Sequence, residues 1–254
     1  MRLKKYKYIA VMLLCYIAFC VSTTCVVYYN HRSAENQDRY DSIAELVQQD
    51  VQAADSAMEG ERHVLSEYAA AYELNQDLVG WLQVPNTDIN YPVVQNPKQG
   101  EDYYLDHDFM GDKSAYGCLF VRKEADPFAP SDNVNIFGHH MRDGSMFGSL
   151  DNYTDKKFWQ ENREFRFDTI YEHRTYRVFA VFITTATLNQ GFQYYNFVDG
   201  TSDEFDAFVS RCKALSIYDT GITPEYGGKL VCLSTCEYSR QNGRLVVAAV
   251  LVDE

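Results

Sequence analysis

The sequence predicts a mainly β body, a barrel or sandwich with two helical inserts, carried on a helical stem and one transmembrane helix. Three observations predict it: an uncharged stretch near the N-terminus, a polar alanine-rich stretch with helical spacing behind it, and many short β-branched and aromatic runs beyond Gly80. With 254 residues, 46% of them hydrophobic and 23% charged, the chain has the composition of a folded protein with room for one sizeable domain and accessory segments. That excludes general disorder and a cysteine-stapled mini-protein.

No charge occurs from Ile9 to Tyr29. At ~1.5 Å per residue this stretch spans about 31 Å as a helix, which matches a hydrocarbon core of ~30 Å. Arg2, Lys4, Lys5 and Lys7 precede it, so the positive-inside tendency places the N-terminus in the cytoplasm and residues from about Asn30 onward outside. A cleaved signal peptide would have a shorter apolar core of ~7–15 residues. Residues 1–32 therefore read as a cytoplasmic tip and an uncleaved, single-pass membrane anchor. They hold five basic residues and no acid, which leaves 18 basic against 36 acidic residues in the remainder, a net charge of −18. A body so acidic repels phosphate backbones, and nucleic acid is excluded as a partner.

Residues 33–75 read as a helical stem. Ile43, Leu46, Val47, Val51 and Ala54 recur at spacings near three and four, and a second helix over 64–74 sets Leu65, Tyr68, Ala69 and Tyr72 on one face. The expected role is a solvated spacer. Residues 76–254 form the β body, with strands expected at 81–84, 90–94, 118–122, 134–137, 174–185, 229–236 and 244–252. Helical inserts are expected at 156–162 and 202–215, the second with Asp203 and Glu204 in its first turn and Phe205, Phe208, Val209 and Cys212 on one face. Of seven cysteines, Cys15, Cys20 and Cys25 lie in the anchor. Cys118 and Cys212 read as small buried residues.

The C-terminal block from Lys229 to Val247 contains Leu233-Ser-Thr-Cys236-Glu and then Asn242-Gly243-Arg244. Asn-Gly is a tight-turn signal, so two strands should be joined with Cys236 closing the first and Arg244 opening the second. A guanidinium across such a hairpin favours the thiolate, the nucleophilic form of cysteine. A second block, Asn133-Val-Asn-Ile-Phe-Gly-His139-His140-Met, ends a strand in two histidines, the side chain best suited to moving protons near neutral pH.

These blocks, with Gly144-Ser-Met-Phe, Val79-Gly-Trp-Leu-Gln-Val, Asn90-Tyr-Pro-Val-Val, Tyr103-Tyr-Leu-Asp-His-Asp-Phe and Tyr116-Gly-Cys-Leu-Phe, resemble the class B sortases, cysteine transpeptidases of Gram-positive cell surfaces. The matches run from about Leu78 to Val252 in family order. The resemblance implies a closed sortase-type β-barrel as the catalytic domain over 76–254. It also implies Cys236 as nucleophile, His139 as acid/base because the family's histidine directly follows glycine, and Arg244 as the group that orients substrate and stabilises the oxyanion. Arg240 competes but lacks the Gly-Arg-strand context. Ser234 and Glu237, flanking the nucleophile, resemble substrate-binding positions. Cys232 departs from the family pattern, which often has Thr there.

What the resemblance implies as function is cleavage of a C-terminal sorting signal of Asn-Pro-x-Thr type after Thr, through a thioester, and transfer of the surface protein to an amine of peptidoglycan precursor. No cofactor is implied. A pilin-polymerising sortase and a non-catalytic anchored binding domain are the alternatives. Zinc held by His139, His140, Cys232 and Cys236 is disfavoured because adjacent histidines with Cys-x3-Cys do not make a usual zinc site. A serine hydrolase is disfavoured because Gly-x-Ser-x-Gly is missing.

Overall fold

Alternation of apolar and polar side chains produces eight strands in the computed structural model of the chain, which describes residues 2–50, 63–100, 102–187 and 190–252. They are β1 (Leu78–Gln83), β2 (Asn90–Val94), β3 (Leu119–Val121), β4 (Asn133–Phe137), β5 (Glu164–Thr169), β6 (Thr175–Thr185), β7 (Leu230–Glu237) and β8 (Gly243–Leu251). The helices are α1 (Arg2–Asp50), α2 (Ser66–Leu74), α3 (Lys156–Glu161) and α4 (Ser202–Leu215). The strands close into a barrel in the order β1-β2-β3-β4-β7-β8-β6-β5, as expected.

Two neighbouring pairs are parallel, β2 with β3 and β4 with β7, and the others are antiparallel. A parallel pair cannot be joined by a tight turn, so the chain leaves β4, builds α3, β5, β6 and α4, and returns as β7. That long crossover sets residues near 137 beside residues near 234. β5, which the sequence reading lacked, alternates Phe165 and Phe167 inward with Glu164 and Arg166 at the surface, and it closes the barrel between β1 and β6.

Residues up to Ser42 and residues from Ile43 onward form two compact units. In the first, α1 is long and apolar enough to cross a membrane by length and composition, and Leu13, Leu14, Ile17 and Phe19 are exposed. Within the second unit, Ile43, Ala44 and Val47 are buried, while Val51 and Ala54 lie outside the described residues. The second stem helix differs from its expected role as a solvated spacer. α2 buries Tyr68 and Ala71, stacks Tyr68 on Trp81, and donates the Tyr68 hydroxyl to Asp168 at 2.8 Å. Burial beside that carboxylate pushes the Tyr68 phenol far above its ordinary range. This helix belongs to the barrel's body.

α4 begins with a capping box in which Thr201 and Glu204 hydrogen-bond reciprocally, and those bonds hold the Glu204 carboxyl below its ordinary value. Its apolar face, Phe205, Phe208, Val209 and Cys212, packs on Phe182, Cys232, Val246 and Ala248. A helix can reach a closed barrel only from outside, so alternation assigns Cys232, Ser234 and Cys236 to the outer face of β7, and Val231, Leu233 and Thr235 to the interior.

Candidate active site

The residues singled out in the sequence meet at one end of that outer face. Cys236 pairs directly with Arg244 across the antiparallel β7–β8 ladder, where opposed Cα atoms lie about 5 Å apart. The turn signal at Asn242 is real, with φ at 51°, although five residues separate Glu237 from Gly243. β4 supplies the third group. Its parallel register with β7 ends at Phe137 opposite Ser234, and the pairing is prolonged by a 3.2 Å bond from the Gly138 N–H to the Ser234 carbonyl and a 2.9 Å bond from the Thr235 hydroxyl to the Gly138 carbonyl. Two residues further along each strand stand His139 and Cys236, on the same face and one strand spacing apart, about 4.8 Å. Cys236 is half-buried, so its thiol borders solvent.

His139 is oriented by a group the sequence did not reveal. Its Nε2 lies 2.6 Å from the carbonyl oxygen of Leu105, which can only accept, so Nε2 carries a proton and Nδ1 is the nitrogen left for exchange. His140 has a different job: its Nε2 sits 2.7 Å from Asp151 and its ring packs edge-on against Tyr238. The choice of His139 over His140 follows from these partners. Arg240 is exposed in the connecting loop, away from the strand position that Arg244 occupies.

Ser234 is buried, and its hydroxyl hydrogen-bonds to the Tyr194 hydroxyl. Burial pushes the Tyr194 phenol well above its ordinary value, with the Ser234 bond and the Arg244 charge pulling the other way. Tyr194 is thus a further member of the site, contributed by the β6–α4 connection and invisible to a motif search. Glu237 is half-buried and accepts from the Ser239 N–H at 2.8 Å and the Ser239 hydroxyl at 2.7 Å, bracing the loop beyond the nucleophile.

Cys232 is fully enclosed beneath α4, and burial drives its thiol far above the ordinary range, so it serves as packing. Cys118 and Cys212 are buried thiols, as expected. The four zinc ligands considered above are not gathered. Among the described residues the single cluster of three ligand side chains is Glu67, Asp168 and His173, and Arg166 places its guanidinium against both Asp168 and His173.

Gly138 explains the Gly-His junction. A Cβ there would lie 2.3 Å from Leu119 Cδ2 and 2.9 Å from the Phe147 ring, both in side chains that are fully buried. Gly138→Ala is expected to cost about 1–3 kcal/mol through overpacking and to push the His139 backbone off Leu105. Thermal melting and kcat/KM on a cleavable peptide should both fall; an unchanged melt would show that this junction has slack.

A closed barrel with a half-exposed cysteine, an arginine opposite it and a carbonyl-oriented histidine on the adjoining strand is the architecture of a cysteine transpeptidase. The Sortase domain family matches residues 82–252. Sortase B of Listeria monocytogenes is 30% identical over 224 residues, covering 87% of each chain. Sortase B of Staphylococcus aureus is 29% identical over 195 residues, covering 76% of this chain and 77% of its own. The crystal structure of Bacillus anthracis sortase B superposes with a TM-score of 0.73 at 32% identity, over 88% of this chain and 99% of that one. The chain belongs to the sortase family, as a class B sortase.

Proposed function

We propose that this sortase cleaves a C-terminal sorting signal of Asn-Pro-x-Thr type after Thr and transfers the protein to an amine of peptidoglycan precursor, with Cys236 as nucleophile, His139 as acid/base and Arg244 as oxyanion partner. The observation carrying the reading is the juxtaposition of these three residues on neighbouring strands with the sulfur bordering solvent.

The Cys236 thiolate attacks the threonyl carbonyl carbon, and the electron pair moves onto oxygen. Arg244 and nearby backbone N–H groups oppose that charge. As the tetrahedral species collapses, the C–N bond breaks and His139 delivers a proton to the departing amine, leaving a thioester. An incoming amine attacks the thioester, surrenders its proton to His139 and expels the thiolate. The energy of the peptide bond is held in the thioester, so no nucleotide is required. Ser234, through Tyr194, and Glu237, through its bracing of the loop, shape the substrate side of the nucleophile. Arg2, Lys4, Lys5 and Lys7 orient α1 with the N-terminus inside the cell, residues 33–75 carry the barrel, and 76–254 work outside.

The test uses the full chain in detergent micelles with peptides bearing Asn-Pro-x-Thr, scrambled controls, and an amine acceptor present or absent. Intact-protein mass spectrometry should find an acyl adduct on Cys236 with the matched peptide only, and the amine should discharge it to a transpeptidation product. Cleavage without an adduct, or adducts with scrambled peptides, would reject the reading.

A further inference from the structure

Beside the active site, on the same outer face, lies a cavity of about 290 Å³ lined by Arg122, Glu124, Asn135, Phe137, Tyr195 and Asn196 among others. Two of its polar atoms are buried without a partner among the described residues: Nε of Arg122 and Oδ1 of Asn135. Such atoms cost about 1–3 kcal/mol each when left unsatisfied, so a pair of them facing one cavity suggests a ligand that satisfies both. The two residues are neighbours by construction. The β3–β4 ladder pairs Phe120 with Phe137 and Val121 with Ile136, and one step further opposes Arg122 to Asn135. Asn135 is only 5% exposed. The Arg122 guanidinium is held 4.9 Å from the centre of the Phe137 ring and 5.8 Å from that of Tyr195, with its NH2 group 3.5 Å from Asp102, so its Nε–H direction is set before anything binds.

We propose that Arg122 and Asn135 form a specificity subsite that reads the carboxamide side chain at the first position of the sorting signal. The proposal rests on the sorting-peptide reading above. A buried N–H donor beside a buried carbonyl acceptor matches one edge of a primary amide, where C=O and the syn N–H lie side by side; a single trans peptide unit directs its C=O and N–H to opposite sides. The amide oxygen accepts from Arg122 Nε and the amide N–H donates to Asn135 Oδ1. A carboxylate would lack the donor, and an aliphatic side chain would leave both protein atoms unpaired. Reach agrees as well. Asn135 precedes His139 by four residues, about 13 Å of strand, and the three residues from Thr back to Asn extend about 10 Å before the side chain is counted.

The experiment measures kcat/KM of the full chain in micelles for peptides differing only at that position, Asn against Leu and Asp, in wild type, Asn135→Leu and Arg122→Lys. Wild type should favour Asn by about 10²-fold or more, as expected when a site built to hydrogen-bond meets an analogue that cannot. Each variant should lower that preference by about tenfold or more, mostly by slowing the Asn peptide. Arg122→Lys keeps the charge and moves the donor, so it carries the test if Asn135→Leu melts early. A preference unchanged within about twofold, or equal losses on all three peptides, would overturn the subsite. If no Asn-Pro-x-Thr peptide forms an adduct on Cys236 even in wild type, it is the function itself that fails.

Discussion

Replacing Cys236 by alanine is expected to lower peptide cleavage by at least about 10³-fold and to eliminate the acyl adduct, because no other group near the site can form the covalent intermediate. The other body cysteines are no substitute. Cys232 is enclosed beneath α4, and Cys118 and Cys212 are buried elsewhere in the barrel's body. The change removes one sulfur from a half-exposed position at a strand end, so the barrel should keep its melting temperature within a few degrees. Peptide affinity, measured by fluorescence anisotropy, should change by only a few-fold. Wild-type cleavage in this variant would place the nucleophile elsewhere and leave the barrel a binding domain.

Arg244→Lys should lower kcat by about 10²-fold while altering KM far less, the pattern for a group whose interaction strengthens as charge develops on the oxyanion. Lysine retains the positive charge but offers a point donor in place of a planar fork of N–H groups. Position matters too. Arg244 opposes Cys236 on β8 and Thr184 on β6, and one of its N–H groups returns to the Gly243 carbonyl at 2.9 Å, so its course over the strand is partly fixed. Comparison with Arg240→Lys discriminates, since that residue is exposed in the loop and its change should leave turnover near wild type. Equal effects from the two lysine variants would reduce the role of Arg244 to general surface charge.

Much of the fold could be read along the chain. The runs at 90–94 and 202–215 coincide with β2 and α4, and six of the remaining strands fall within a few residues of their expected ends, because turn residues and alternation mark them locally. β5 escaped notice: Glu164, Arg166 and Asp168 interrupt its apolar positions, and only pairing with β1 and β6 makes those charges the outward face of a strand. α2 was readable as a helix but not as part of the core. Its burial depends on the Asp168 carboxylate, 100 residues away, accepting from Tyr68. The hairpin bearing Cys236 and Arg244 is local and its signal is correspondingly strong, whereas Leu105, Tyr194, Arg122 and Asn135 carry no motif and acquire meaning only from what folding sets beside them.

Residue chemistry and local periodicity thus determined the membrane-length helix, the sequence of strands, and the identity of the cysteine, histidine and arginine. Tertiary structure alone decided that a histidine 97 positions upstream stands next to the sulfur, which of its nitrogens is available, and where a second pair of polar groups waits unsatisfied. The physical reason is the parallel β4–β7 pairing: it requires a long crossover, and spacing within a sequence holds no record of which distant strand a crossover returns to.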